Sequence, residues 1–376
     1  MKIVVIGYNH KPLDKRVFRS IIALLKHGDN EIYYIFNKMH LVEEELEVLP
    51  DIPALHWIPL GEKSKGFGRQ LRIDRIQLDK SVIRTTLEIH PDVVYIHEPL
   101  YFLSTQLFEQ LHKHSIPTVF DIHEIWGIMA FSESVPSHLY KIKNLFTNSK
   151  FKKELEYASK HIHISPGRKL FIEKFYRTSH KSSIIIPNVA NEQITPLPHE
   201  KREPYIILPG KVPKNIEPLI PFSQYIKQRY GWNTVYIANT PPDNLPSYME
   251  YHKPLPYHDM MDLISKAQFS VLIYRTYKDN NFNDRLGLPN KFFDSIGAGT
   301  PVVVDPFFIE MSAWINNKQI GQVVPPNSTS AIQQQIDYLL NNYDVTLNNI
   351  ARFQKYATWG NQWEKKLVEF VTNVEK

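Results

Sequence analysis

The sequence predicts an α/β protein made of two doubly wound parallel-sheet domains. Strand-like and helix-like segments alternate along the chain, as they do where parallel strands are joined by crossover helices. At 376 residues the chain is too long for one ordinary core. A polar stretch at 190–204, with Pro196, Pro198 and Pro204, interrupts the alternation and reads as a linker before a second series.

The first series opens at once with the β-branched run Met1 to Gly7, followed by a loop with Asn9, His10 and Pro12. A helix is expected over 15–27, with Val17, Ile21, Ala23, Leu24 and Leu25 on one face and Gly28 as its stop. A strand at 31–36 follows, and 40–70 is expected to be loop with one strand near 55–59. Helices at 73–90 and 100–114 lead into strands at 92–96 and 117–122. A helix at 139–159, a strand at 161–165, a helix opened by Pro166 and a strand at 183–188 finish this half. The second half has strands at 205–208, 233–238, 269–274, 302–304 and 323–324 and a helix at 330–340. The last helix, 361–374, is amphipathic through Trp363, Leu367, Phe370 and Val371.

Composition excludes several classes. There is no cysteine, so disulfides and cysteine-based zinc sites are ruled out. No apolar run approaches the ~20 residues that span a bilayer, and the opening residues do not suit a signal peptide, so a cytoplasmic location is expected. Between Lys141 and Lys181 there are eleven Lys/Arg against three acids, an excess larger than the whole-chain charge of +5. This basic region suits an anionic membrane surface or another polyanion.

Ligands of open parallel sheets bind beyond the carboxyl ends of the strands. In the first half those ends carry Asn9 and His10, His97 and Glu98, and His123 and Glu124. Asp121 and Glu124 flank His123 and are placed to set its pKa and orientation. In the second half they carry Gly210 and Lys211, Tyr274 and Arg275, and the stretch 286–304. That stretch reads as a turn, a short helix with Pro289 at its first position, and the apolar strand from Pro301 to Val304. An exposed Lys291 at the helix start suits an anion, and Asp294 one turn on suits a sugar diol. Lys211, Lys214, Arg285 and Lys291 form a basic set able to neutralise a diphosphate leaving group. A dinucleotide site is disfavoured, because Tyr8, Asn9, His10 and Lys11 follow Gly7 where glycines are needed. There is no Walker loop, no Gly-x-Ser-x-Gly elbow, and no spacing that stands out as a metal site.

Six segments, in order, carry a family resemblance. They are Asp14 to Val17 with Gly28, Asp92 to Glu98, Val119 to Glu124, Ile186 to Val189, Gly210 to Asn215, and Pro289 to Val303. Together they resemble the retaining family 4 glycosyltransferases, with the GT-B fold of two Rossmann-like domains facing across a cleft. The resemblance implies an acceptor domain at 1–195, onto which a helix at 359–376 packs back, and a donor domain at 196–358. It implies a sugar moved from a nucleotide-sugar donor, UDP- rather than GDP-linked, to a glycan or lipid-linked acceptor in surface polysaccharide or glycoconjugate synthesis. No cofactor, no bound metal and no nucleic acid are implied. The site at 141–181 would then hold the protein peripherally on the inner membrane face. His123, Asp294 and Lys211 would be catalytic. Lys211, Lys214, Tyr274, Arg275, Asp284, Arg285, Leu288, Pro289, Asn290, Lys291 and Asp294 would hold the donor. Asn9, His10, Arg16, His97, Glu98 and Glu124 would line the acceptor side. Three features depart from the family pattern: the acids Asp284 and Asp294 are shorter and more widely spaced than its glutamates, the first loop lacks the family's glycine pair, and Lys211 stands where the family has arginine. The alternatives are a sugar-nucleotide epimerase on the same fold and a non-catalytic partner subunit.

Overall fold

The opening run Lys2–Ile6 forms strand β1, buried without interruption from Ile3 to Ile6, because helices cover both faces of a parallel sheet. This is a computed structural model, and it describes all residues except 9, 42–47, 63–71, 126–136, 211–215, 240, 242–243, 275–281 and 374–376, and, for side chains, also 40, 137–144 and 282. Six further strands complete the first sheet: β2 (Glu31–Asn37), β3 (Leu55–Leu60), β4 (Val93–Ile96), β5 (Thr118–Ile122), β6 (Lys160–His163) and β7 (Ser182–Ile185). All pairs are parallel in the order β3-β2-β1-β4-β5-β6-β7. The winding reverses between β1 and β4, which makes their carboxyl ends the switch point of the sheet.

The second sheet contains β8 (Tyr205–Leu208), β9 (Asn233–Ile237), β10 (Met249–His252), β11 (Ser270–Leu272), β12 (Val302–Val304) and β13 (Gly321–Val323), all parallel in the order β10-β9-β8-β11-β12-β13. Its switch point lies between β8 and β11. The architecture is therefore α/β with two doubly wound parallel sheets. One unit comprises Met1–Met129, Ser134–Ile186 and Gly360–Lys376; the other includes Pro187–Trp359.

Local chemistry explains the elements nearest the sites. Asp14 caps helix Lys15–Lys26, accepting from the N–H groups of Arg16 and Val17. That helix buries Val17, Ile21 and Leu24, and against it lies Asn361–Thr372, whose Glu364 takes hydrogen bonds from Lys26 and His27, each at 2.8 Å. In the second unit, helix Asn290–Gly297 is enclosed on every side: Phe292, Phe293, Ile296 and Gly297 are buried. The Gln354 carboxamide fastens its end, donating to the carbonyls of Ile296 at 3.1 Å and Gly297 at 2.9 Å.

Two points differ from what the sequence predicts. Helix Asn290–Gly297 starts one residue late: Pro289 is its extended N-cap (ψ 159°), so the proline ring directs the chain into the helix from outside. Strand β10 and the helices Leu219–Tyr230, Tyr257–Lys266, Ile309–Lys318 and Tyr343–Ala357 had no counterpart in the sequence reading. Met-Glu-Tyr-His in β10 lacks the β-branched run that marks its neighbours. Much of the stretch expected as loop at 40–70 lies outside the described residues. Among the described residues no helix is long and apolar enough to cross a membrane.

Candidate functional site

Strands β1, β4 and β5 are neighbours, so the segments leaving their carboxyl ends emerge side by side. They bring together three imidazoles. The His10 and His123 ring centroids lie 4.9 Å apart, and those of His97 and His123 lie 5.5 Å apart. Beneath them Asp121, the fourth residue of β5, is 1% exposed and fully engaged. Arg16 grips it with two hydrogen bonds, Nε to Oδ2 at 3.0 Å and Nη2 to Oδ1 at 2.8 Å. The Tyr95 hydroxyl donates to Oδ2 at 2.8 Å, and His97 Nδ1 and His123 Nε2 stand 3.4 and 3.7 Å from its oxygens. Arg16 also donates to the Ile186 carbonyl at 2.8 Å, tying the first helix to the end of β7.

The electrostatics follow from this packing. Burial alone would raise the pKa of Asp121, but Arg16, His123 and His97 outweigh it and keep the carboxylate charged far below its ordinary range. Burial holds His97 well below the ordinary imidazole value and His123 below it, with Asp121 only partly compensating, so both rings are neutral near pH 7. For His10 burial is outweighed by Asp14, Glu98 and Asp121, and its pKa is raised. The cluster thus sets a more basic imidazole beside two neutral ones. The Arg168 guanidinium holds the next turn, donating to the His123 carbonyl and lying 3.7 Å from Glu124 Oε2.

In the second unit the corresponding strand ends bring together Gly210, Tyr274 and helix Asn290–Gly297. Lys291 is not an exposed helix-start cation: it is 8% exposed, its ammonium 4.4 Å from the centre of the buried Tyr274 ring. Gly210 lies beside it. Its φ of +101° suits glycine, and a Cβ there would meet Lys291 Cε at 3.4 Å. Asp294, 4% exposed, accepts from the Tyr257 hydroxyl at 2.8 Å, and that oxygen accepts from the Asn191 N–H at 2.9 Å. Asp284 raises the pKa of Tyr274, second to burial. Asp284 and Arg285 are half-buried in helix Phe282–Arg285, Leu288 is buried, and Asn290 is exposed.

The structure therefore gathers His10, Arg16, His97, Glu98, His123 and Glu124 in the first unit, and Tyr274, Lys291 and Asp294 in the second. Asn9, Lys211, Lys214 and Arg275 lie outside the described residues. The sequence reading did not select Tyr95, Asp14, Arg168 or Tyr257 as site residues. Asp14 at four residues from His10 was a readable signal; Tyr257, 37 residues before Asp294, was not. Spacing along the chain singled out no metal site, yet the fold places ligand atoms of His10, Glu98 and His123, and of His97, Asp121 and His123, within 4.8 Å of one another.

No protein-family model and no curated protein sequence matches the chain. Solved structures do, and they define the fold as that of the GT-B glycosyltransferases. A sucrose-phosphate synthase from Thermosynechococcus elongatus superposes with a TM-score of 0.71 at 14% identity, covering 98% of each chain. WaaG, a glycosyltransferase involved in lipopolysaccharide biosynthesis, gives 0.64 at 12% identity over 100% of each chain. An Escherichia coli structure described as trehalose-6-phosphate bound with UDP-2-fluoro glucose gives 0.66 at 10% identity, again over 100% of each.

Proposed function

We propose that this chain is a retaining glycosyltransferase that moves a sugar from a nucleotide-sugar donor, UDP- rather than GDP-linked, to a glycan or lipid-linked acceptor in making surface polysaccharide or glycoconjugate. The observation that carries the reading is the likeness, over nearly the full length of both chains, to glycosyltransferase structures, with polar clusters at the switch points of both sheets. Asp294 and Lys291, with Lys211, Lys214 and Arg275, take the donor; His10, Arg16, His97, Glu98, Glu124 and Asn9 serve the acceptor side. His123 acts at the transferred sugar, its ring held by Asp121. The transfer itself draws on cationic side chains for the leaving group and needs no metal.

A thermal-shift panel of nucleotide sugars tests this directly. A donor at 100 times its Kd stabilises by about 2.7 kcal/mol, and Asp294→Ala should remove that shift. No shift with any nucleotide sugar overturns the reading. Turnover of donor in the absence of any acceptor would point instead to an epimerase.

The chain works at the cytoplasmic face of a membrane, docked through 141–181. In support, Leu145 and Phe146 are 70% and 73% exposed on the same helix as the exposed Lys152 and Lys153, a pairing of apolar and basic groups that suits anionic lipid. Charge reversal at Lys150, Lys152 and Lys153 should weaken binding to anionic vesicles. Unchanged binding at low salt removes the docking step.

A further inference from the structure

We infer that His10, Glu98 and His123 form a binding site for one divalent transition-metal ion of the zinc class. The argument begins with Asp14. Its carboxylate is fixed as the cap of helix Lys15–Lys26, accepting from Arg16 N at 3.0 Å and Val17 N at 3.3 Å. Its other oxygen, Oδ2, lies 3.4 Å from His10 Nδ1. A carboxylate there selects the tautomer with hydrogen on Nδ1 and leaves the lone pair on Nε2. This is the outer-sphere arrangement that orients metal-binding imidazoles. His10 Nε2 is buried, has no hydrogen-bond partner among the described residues, and lies 3.9 Å from Glu98 Oε1. His123 Nε2 completes the set, all ligand atoms falling within 4.8 Å of one another.

Geometry and charge agree. Ligand atoms about 2.0–2.1 Å from a tetrahedral ion stand about 3.4 Å apart, so small movements of the side chains close this triangle. His97 Nδ1, 3.4 Å from His123 Nε2, is the next donor within reach. The charged groups facing the three rings are Asp14, Glu98 and Asp121 against Arg16, three carboxylates to one guanidinium, a balance that favours a bound cation. Two imidazoles and one carboxylate select zinc-like ions over magnesium or calcium, which prefer oxygen ligands. The overlapping set His97, Asp121 and His123 is the poorer choice, because both oxygens of Asp121 already serve Arg16 and one also serves Tyr95. An ion held on His123 would draw away the ring that the proposed transfer uses, so on that reading the site is an off switch.

Binding is measured without any sugar nucleotide, which separates this inference from the proposed activity. The full chain, stripped with a chelator, is titrated with Zn2+ by calorimetry and with Co2+ by visible absorption. One ion per chain is expected, with the intense visible bands of low-coordinate Co2+. His10→Ala and Glu98→Gln should each weaken binding at least tenfold, and Asp14→Asn about 10- to 100-fold by releasing the ring. X-ray absorption of the Zn2+-loaded natural chain should show at least two imidazoles, a readout that needs no variant to fold. Absence of stoichiometric uptake, an oxygen-only ligand shell, or undiminished affinity in a folded His10→Ala chain would overturn the site.

Discussion

Two buried arginines, Arg16 in the first unit and Arg202 in the second, organise their surroundings in opposite ways. Arg16 meets an opposite charge: its guanidinium forks onto Asp121, and that attraction more than offsets burial and raises its pKa. Arg202 meets neutral acceptors. It donates to the carbonyls of Leu197, Ser265, Ala267 and Gly299 at 2.7 to 3.0 Å and to the Thr300 hydroxyl at 3.2 Å, and burial lowers its pKa. Arg16 thus secures a group that itself touches ionisable rings at strand ends, whereas Arg202 ties chain segments together. A buried guanidinium points to a site where its partners can ionise, and to scaffolding where they cannot.

That contrast is sharpest in Arg16→Met, which leaves Asp121 charged and unpaired. It should cost about 3–5 kcal/mol in urea unfolding and abolish activity. Adding Asp121→Leu should recover most of the stability and none of the activity; an active double variant would break the comparison. Next comes Glu154, buried against Ser104 and Thr105 and pushed by burial up to about 7 from an ordinary 4.5. Between those values the folded chain holds a proton that the unfolded chain has released, so stability falls as pH rises through that window, by about 3 kcal/mol in all. Glu154→Gln should match the natural chain near pH 4 and exceed it near pH 8; parallel melting curves at both would show that burial does not govern this acid. Arg202→Met should cost about 2–3 kcal/mol through unsatisfied carbonyls, with no change in the thermal shift produced by nucleotide sugars. The smallest effect is expected for Tyr257→Phe, about 1.5 kcal/mol from the hydrogen bond to Asp294, read by the same unfolding assay.

Parts of this were legible in the residues. Strands such as Val302–Val304 announce themselves because burial on both faces demands an unbroken apolar run. The strand-end rule also picked out His10, His97 and His123 before any geometry. What it did not supply was adjacency: the three rings meet only because the sheet order sets β1 beside β4 and β4 beside β5, and the chain does not announce that order. Lys291 misled for a related reason. A lysine at a helix start is ordinarily solvated, and the ring of Tyr274, distant in sequence, takes its ammonium in the fold. Asp294 offers a carboxylate to the sequence reader, and its engagement by Tyr257 belongs to the fold alone.

The parallel bridge between Ala190 and Thr358 has a consequence for how the molecule can be cut. Ala190 N–H donates to the Ala357 carbonyl at 2.8 Å and Trp359 N–H to the Ala190 carbonyl at 2.7 Å, so the chain enters and leaves the second unit at one place. Topologically the second unit is an insertion into the first, whose final helix returns to place Lys366 against the Ile185 carbonyl at 3.2 Å. A cut after residue 186 would strip the first unit of the helix that pairs Lys26 and His27. Joining 186 directly to 360 keeps it, and the excised piece leaves with its two ends already stitched together.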